Sequence, residues 1–208
     1  MAHGPDTDRL LKLISEMEYG ILAIQFLKVT SLPELPNGLR KLWCHMTGIT
    51  SLPKLPDSLE EIVCNYSPLR SLPDLPPNLV YLDVGHTELR TLPKLPRFLR
   101  ILIASHTPLT SLPDLPPFLE TLYCYNTEIT EIPDIPRRLY NLSLSNCPNL
   151  LIKREPDETI NDYNERLSKI RVQRRNELIK EDLIAEFWHP LRVKNMLAKG
   201  GWDLVESY

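Results

Sequence analysis

Apolar residues recur along most of the chain with a fixed spacing of 20 residues. The motif Leu-Pro-x-Leu-Pro begins at Leu32 and returns five more times without slippage, with isoleucine replacing leucine in the last copy. Four further apolar columns follow each motif, starting at Leu39, Leu42, Cys44 and Ile49. A constant period of this length indicates one structural unit stacked on itself, because each unit can bury its apolar residues only against its neighbours.

The alternation around Leu42 and Cys44 predicts a short strand whose leucine and cysteine side chains point to one side. A period of 20 residues leaves no room for a return helix, and the prolines of each motif favour an extended, polyproline-like segment. The predicted fold is an α/β solenoid, a leucine-rich-repeat horseshoe. Its parallel sheet lines a concave face, its convex side is extended, and helices cap both ends.

The tandem pattern L-P-x-L-P-x-x-L-x-x-L-x-[VC] resembles the leucine-rich repeats of bacterial type III secreted effectors, from Leu32 to about Leu150. It is also similar to repeats of giant-virus proteins, and residues 187–203 are similar to carboxyl-terminal tails of such proteins. The resemblance implies the repeat fold and an effector-like role. Some of these effectors carry a ubiquitin-ligase domain with a catalytic cysteine, but no cysteine follows Leu150 here, so that activity is not carried over.

The repeat pattern divides the chain into an amino-terminal cap with a degenerate first strand, six repeats and a carboxyl-terminal cap, at residues 1–30, 31–150 and 151–208. In the first part, Asp6 or Asp8 is expected to cap an amphipathic helix that runs to about Glu18. Subtracting one period from the second strand places the degenerate strand at residues 21–25.

In the last part, Asp157 or Thr159 is expected to start a long helix that covers the end of the solenoid. Pro190 is expected to lie in the first turn of a second helix, which ends at Gly200 and Gly201. Terminal elements of this kind are needed because the first and last repeats expose half of their leucine core.

Strand side chains that alternate with the buried column are predicted to line the concave face, which is the usual docking surface of solenoids. Aromatic and aliphatic residues make this face more apolar than a solvated sheet requires, and tyrosine and tryptophan often anchor interfaces. The candidate partner-binding residues are Lys41, Trp43, His45, Glu61, Val63, Asn65, Tyr66, Tyr81, Asp83, Ile101, Ile103, Tyr123 and Tyr125.

In repeats of this kind, one position usually holds an asparagine whose amide joins successive turns. In this chain, that position does not carry asparagine. It carries mostly hydroxyl residues, which can still bond to the neighbouring backbone. A structural hydroxyl ladder is therefore predicted at Thr47, Ser67, Thr87, Thr107 and Thr127.

The formal net charge of -3 and the pI near 6.0 argue against a nucleic-acid or membrane-surface partner. The sequence has no run of 18 apolar residues, so we expect no transmembrane helix. Its amino terminus lacks a basic region followed by an apolar run, so we expect no secretory signal and an intracellular, cytoplasmic protein. Cys44 and Cys64 are stacked neighbours that could oxidise, but the cysteines are interpreted as small buried hydrophobes in a reduced protein.

No catalytic motif, metal-ligand set or cofactor-binding loop is found, so we expect no catalytic residues, no metal and no cofactor. His86 and His106 are expected to stack one repeat apart as exposed side chains. The sequence therefore favours a non-catalytic module that binds a partner protein through the concave face. Two alternatives stay open: an adaptor whose carboxyl-terminal helices recruit host machinery such as a ubiquitin ligase, and a self-associating protein such as a homodimer.

Overall fold

A computed structural model describes residues 5–17 and 19–187, with side chains described at residues 6–17 and 19–179. Helix α1 (Pro5–Ser15) precedes seven strands, and helix α2 (Ile160–Phe187) follows them. The strands are β1 (Ile21–Ala23), β2 (Lys41–Trp43), β3 (Glu61–Val63), β4 (Tyr81–Asp83), β5 (Ile101–Ile103), β6 (Thr121–Tyr123) and β7 (Asn141–Ser143). The predicted helix after Pro190 lies outside the described residues.

The seven strands form one parallel sheet in chain order, from β1 to β7. Leu22 lies beside Leu42, which lies beside Ile62, and the same offset of one repeat continues through every later pair. The middle residue of each strand is buried, whereas most of the residues on either side of it are half-buried on the open face. The leucine-rich repeat solenoid predicted from the period is confirmed.

Each return segment is extended, and no described repeat contains a helix between its strands. A tight turn closes each segment before the next strand, as when the Leu59 N–H donates to the Pro56 carbonyl at 3.1 Å. A second set of backbone bonds joins neighbouring repeats before the proline motif, as when Arg70 N–H donates to the Thr50 carbonyl at 2.9 Å. Neighbouring repeats are therefore tied by backbone bonds outside the sheet as well as within it.

The core consists of the predicted apolar columns. Side chains at the Leu39, Leu42 and Ile49 positions are almost completely buried in repeat after repeat. Full burial of a leucine or isoleucine side chain contributes about 1.5–3 kcal/mol, so these columns supply much of the stability of the stack. The leucines of the proline motif contribute less uniformly, since Leu35 is buried and Leu32 is half-buried.

The interpretation of all four cysteines as reduced is wrong for one pair, because Cys44 and Cys64 form a disulfide. Their Cα atoms lie 4.8 Å apart, since the two residues occupy the same inward column of adjacent, in-register repeats. That distance lies within the range that a disulfide spans. Cys124 and Cys147 are free and buried, in agreement with the interpretation as small hydrophobes.

Hydroxyls at the ladder positions donate to the carbonyl three residues earlier in the same repeat. Thr87 Oγ1 donates to the Val84 carbonyl at 2.8 Å, and Thr107 Oγ1 donates to the Ala104 carbonyl at 2.7 Å. Thr47, Ser67 and Thr127 make the equivalent bond. Each hydroxyl thus satisfies a carbonyl of its own turn, and a role for the ladder in joining successive turns is a proposal.

A residue with left-handed backbone follows each strand. Its φ lies between 53° and 67° in every repeat, and the residues are Phe26, Met46, Tyr66, His86, His106, Asn126 and Asn146. In this conformation the N–H still donates to the next repeat, as His86 N–H does to the Ser105 carbonyl at 2.9 Å. Left-handed backbone costs an L-residue about 1–2 kcal/mol, so the repeating hydrogen bond and the stacked turns must offset that cost.

Helix α1 begins at Pro5, so Asp6 and Asp8 lie within its first turn. The expectation that one of them precedes and caps the helix is corrected, and both carboxylates instead stand in the first turn, where negative charge interacts favourably with the helix dipole. Asp6 Oδ2 also accepts a hydrogen bond from Lys28 N–H at 2.9 Å, which ties the helix to the first repeat. Leu10 is buried in the same region.

The chain forms two compact units that divide between Tyr163 and Asn164, inside α2. In the first unit, Thr159 Oγ1 accepts a hydrogen bond from Asp162 N–H at 3.1 Å, so the predicted Thr159 cap is confirmed. Tyr163 is buried, and its hydroxyl donates to the Ile152 carbonyl at 2.6 Å. A covering role for the later turns of α2 stays a prediction. No helix within the described residues is long and apolar enough to cross a bilayer.

The left-handed turn predicts a reversed order of stability for two substitutions of Met46. We expect Met46→Gly to be more stable than Met46→Ala by about 1 kcal/mol, because glycine adopts positive φ without a steric cost. At Arg9, an exposed residue in the middle of α1, the order should be the usual one, with alanine more stable than glycine by about 1 kcal/mol. Urea unfolding of the four variants measures both differences, and a more stable alanine at residue 46 would contradict the assignment.

Candidate interaction surface

The open face of the sheet carries three columns of side chains, which we call the concave face. They stand at the positions of Lys41, Trp43 and His45 in each repeat, and they face away from the leucine core because strand side chains alternate. Eleven predicted residues are half-buried on this face: Lys41, Trp43, His45, Glu61, Val63, Asn65, Tyr81, Ile101, Ile103, Tyr123 and Tyr125. Asp83 is buried there, and Tyr66 lies just beyond the face in a left-handed turn.

A polar cluster on β2 and β3 holds the indole of Trp43. Lys41 Nζ lies 2.9 Å from Glu61 Oε2, and Trp43 Nε1 donates to Glu61 Oε1 at 2.7 Å. The ammonium group of Lys41 also lies 5.8 Å from the centroid of the indole, within cation–π distance. Trp43 is therefore held in one orientation before any partner arrives.

Asp83 lies in the middle of the face, between Val63 and Ile103 on the neighbouring strands. Only 7% of it is exposed, and its carboxylate accepts hydrogen bonds from Asn65 Nδ2 at 2.7 Å and Gly85 N–H at 3.0 Å. Burial raises the pKa of Asp83, and these two hydrogen bonds oppose that shift. A carboxylate in this position is satisfied by neutral donors rather than by an ion pair.

Aromatic and aliphatic side chains surround Asp83 on β4 to β6. Tyr81 lies beside Ile101, and Ile103 lies beside Tyr123, so these four residues form a continuous apolar patch. The Tyr123 hydroxyl accepts a hydrogen bond from Asn141 Nδ2 at 2.6 Å, which fixes the ring. Burial raises the pKa of Tyr81, assisted by the negative charges of Asp83 and Glu61, so its phenol stays protonated at neutral pH.

Three buried polar atoms of the concave face have no hydrogen-bond partner in the described part of the chain: Gln25 Oε1, His45 Nδ1 and Ser105 Oγ. All three belong to the column that begins at Gln25, and Gln25 and His45 occupy adjacent repeats. Buried polar groups are usually paired, so each such atom needs an explanation. A partner that supplies donors and acceptors at this column would satisfy them.

Rings of the left-handed residues stack along one edge of the sheet. The centroid of His86 lies 4.1 Å from that of Tyr66 and 4.0 Å from that of His106, with nearly parallel planes. The predicted stacking of the two histidines is confirmed. His106 also meets Tyr125 edge to face at 5.1 Å. Within the described residues, no group of three or more histidine, cysteine or acidic side chains is arranged to hold a metal ion.

Sequence reasoning missed the left-handed turn that produces this stack. Asparagine and histidine are enriched at positive φ, but Phe26, Met46 and Tyr66 occupy the equivalent positions of other repeats and are not residue types that favour it. Repeat-to-repeat packing therefore overrides local preference at these positions. The hydrogen-bond partners of Trp43 and Asp83 could not be predicted either, because the repeat period does not determine which neighbouring side chains bond to each other.

The histidine stack predicts a pH response. Burial lowers the pKa of His86, and the neighbouring charge of His106 lowers it further. Below the ordinary histidine pKa of about 6.5, the unfolded chain binds a proton at His86 more readily than the folded chain does. The free energy of unfolding is therefore unaffected by His86 above that pH and falls as the pH drops below it. We expect His106→Asn to raise the pKa of His86, as followed by NMR titration of the imidazole.

His45→Asn is the matched control for this titration, because His45 is not stacked on His86. An unchanged pKa of His86 in His106→Asn, or an equal rise in the control, would contradict the assigned coupling between the two rings.

Comparison with known proteins finds no matching protein-family model and no significant match among curated proteins. Solved structures do match. YopM from Yersinia enterocolitica WA-314 is 37% identical with a TM-score of 0.63, and the match covers 67% of this chain and 32% of that one. The leucine-rich repeat domain of a Shigella effector is 32% identical with a TM-score of 0.62, covering 65% of this chain and 63% of that one.

A third similar structure is YopM, a leucine-rich effector protein from Yersinia pestis, at 31% identity and a TM-score of 0.56. That match covers 70% of this chain and 51% of the other, so the chain spans less than two thirds of each of these three structures. The similarity to giant-virus proteins stays an expectation. The chain is a short-repeat leucine-rich repeat protein whose repeats resemble those of bacterial effectors, a fold that generally serves as a protein-interaction module.

Proposed function

We propose that the chain is a non-catalytic module that binds a partner protein through its concave face. The observation that carries this proposal is the continuous patch of Tyr81, Ile101, Ile103 and Tyr123, whose members lie side by side on adjacent strands. A contiguous apolar patch on an open sheet marks an interaction surface, whereas single exposed apolar residues do not.

Preorganisation of the aromatic side chains supports the same proposal. Glu61 holds the Trp43 indole and Asn141 holds the Tyr123 ring, each through a hydrogen bond of 2.7 Å or less. Binding normally costs about 0.5–1.5 kcal/mol for each side chain that must be immobilised. Rings that are already fixed in the free protein reduce that cost, so the face is suited to a partner of complementary shape.

The unpaired polar atoms give the proposed interface its specificity. Gln25 and His45 lie beside Trp43, and Ser105 lies beside Ile103. A partner that pairs these atoms gains hydrogen bonds without breaking existing ones, since each atom lacks a partner in the described part of the chain. A partner of wrong polarity would leave them buried and unpaired.

Replacing three aromatic anchors tests the proposal. In Trp43→Ser/Tyr81→Ser/Tyr123→Ser we expect partner recovery in affinity purification from host-cell lysate to fall at least about 100-fold, since buried aromatic anchors of interfaces often contribute 2 kcal/mol or more each. Far-UV circular dichroism and thermal unfolding check that the repeats stay folded. Tyr19→Ser/Leu151→Ser, which removes exposed apolar side chains elsewhere, is the control.

Recovery of the same partner by the triple variant would contradict concave-face binding. Light scattering of the unmodified protein separates foreign binding from self-association: a dimer that the triple variant converts to a monomer would assign the face to a second copy instead.

We extend the proposal to action inside a host cell, because two of the similar structures are named as effectors. Because glutathione keeps most cytosolic cysteines reduced, the disulfide between Cys44 and Cys64 provides a test of this extension. Rapid alkylation at cell lysis followed by mass spectrometry shows whether the pair is oxidised in cells. Two alkylated residues would support action in the cytosol, whereas an intact disulfide would place the protein in an oxidising compartment and contradict the extension.

A further inference from the structure

The turns that precede β5, β6 and β7 carry an unusual set of side chains, which we call the arginine–phenylalanine ladder: Arg97, Phe98, Phe118, Arg137 and Arg138. Phe98, Phe118 and Arg138 occupy the same position in successive repeats. Because the strands are parallel and in register, these turns lie at one edge of the sheet, and the left-handed turns lie at the other.

The ladder is stacked. The rings of Phe98 and Phe118 lie 5.9 Å apart with an interplanar angle of 29°. The guanidinium of Arg138 lies 4.8 Å from the Phe118 centroid, and that of Arg97 lies 5.9 Å from it. These distances allow cation–π attraction, so the arginines are held beside the rings.

The charges of the ladder are not neutralised. No carboxylate of the described residues forms an ion pair with Arg97, Arg137 or Arg138, and all three side chains are exposed. Three other arginines of the repeats, Arg40, Arg70 and Arg100, do form ion pairs. Arg40 Nη2 lies 2.8 Å from Glu60, and Arg100 Nη2 lies 2.8 Å from Glu120. The ladder thus leaves three positive charges free for an external anion.

An apolar contact accompanies those charges. Phe98 is 52% exposed, which leaves much of its ring available. Arginine and aromatic residues are enriched among interface anchors, and a guanidinium can bind a carboxylate through two parallel hydrogen bonds. A partner that fits must carry several carboxylates and at least one apolar side chain.

A nucleic acid fits less well. Binding to single strands needs a tract of phosphate contacts and free aromatic faces, but the ladder has three cations and Arg138 already stacks on Phe118. The whole chain is also acidic, with a formal net charge of -3. The charge of the ladder is local, which suits a short acidic segment of a protein.

We propose that the arginine–phenylalanine ladder is a second binding site, which takes an acidic peptide segment. The segment places its carboxylates on Arg97, Arg137 and Arg138 and an apolar side chain on Phe98. This site is separate from the concave face and does not depend on it.

A fluorescein-labelled peptide of alternating glutamate and leucine tests the site by fluorescence anisotropy at low ionic strength. We expect Arg97→Gln/Arg137→Gln/Arg138→Gln to bind it at least about tenfold more weakly, since three exposed ion pairs are lost. Phe98→Ser keeps every charge and should weaken binding about threefold or more through the lost apolar contact.

The control variant removes the same three charges from paired arginines: Arg40→Gln/Arg70→Gln/Arg100→Gln. Its affinity should change by less than about threefold, because those guanidiniums already bind Glu60, Glu88 and Glu120. Thermal unfolding of each variant checks that the repeats are intact.

The variant lacking the concave-face aromatics should bind the acidic peptide as well as the unmodified protein does, so failure at one surface is distinguishable from failure at the other. Three results would overturn the proposal: no binding of the peptide by the unmodified protein, an equal loss in both arginine variants, or tighter binding of a single-stranded oligodeoxythymidylate than of the peptide.

Discussion

Burial of one apolar column against the same column of the next repeat is the interaction on which the rest of this molecule depends. Leu42 packs in register with Leu22 on one side and Ile62 on the other, so each repeat supplies half of a core that its neighbours complete. A single repeat buries too little apolar surface to offset the entropy of ordering its backbone. Every later feature, including both proposed binding surfaces, exists only because this register is kept without error.

The constant register also explains why unfavourable backbone is tolerated. Each repeat places one residue at positive φ, including aromatic residues such as Phe26 and Tyr66. The same turn sends an N–H to the next repeat and, at His86 and His106, stacks ring on ring. The strained backbone and the contacts with the neighbouring repeat occur in the same turn. The favourable contacts offset the free-energy cost of positive φ, which an isolated turn would not adopt.

The repeat geometry presents different chemistry on different surfaces. The concave face combines fixed aromatic rings with buried polar groups such as Asp83, which suits a shaped and specific contact. The turns before β5 to β7 present exposed, unneutralised arginines beside Phe98, which suits charge attraction to a flexible acidic segment. A partner that engages both surfaces would gain affinity from two weak contacts without any change in the repeats.

The amino-acid sequence was sufficient to predict the solenoid, the parallel sheet, the extended return and the buried columns, because a strict period leaves one way to bury leucine in every repeat. It also predicted Thr159 as a helix start and the stacking of His86 on His106. The coordinates were needed to find the disulfide between Cys44 and Cys64, the left-handed turns, the hydrogen bond from Trp43 to Glu61 and the stacked arginines beside Phe118. These features depend on distances between atoms of neighbouring repeats. The repeat period shows which residues lie side by side, but it does not determine which of them form bonds.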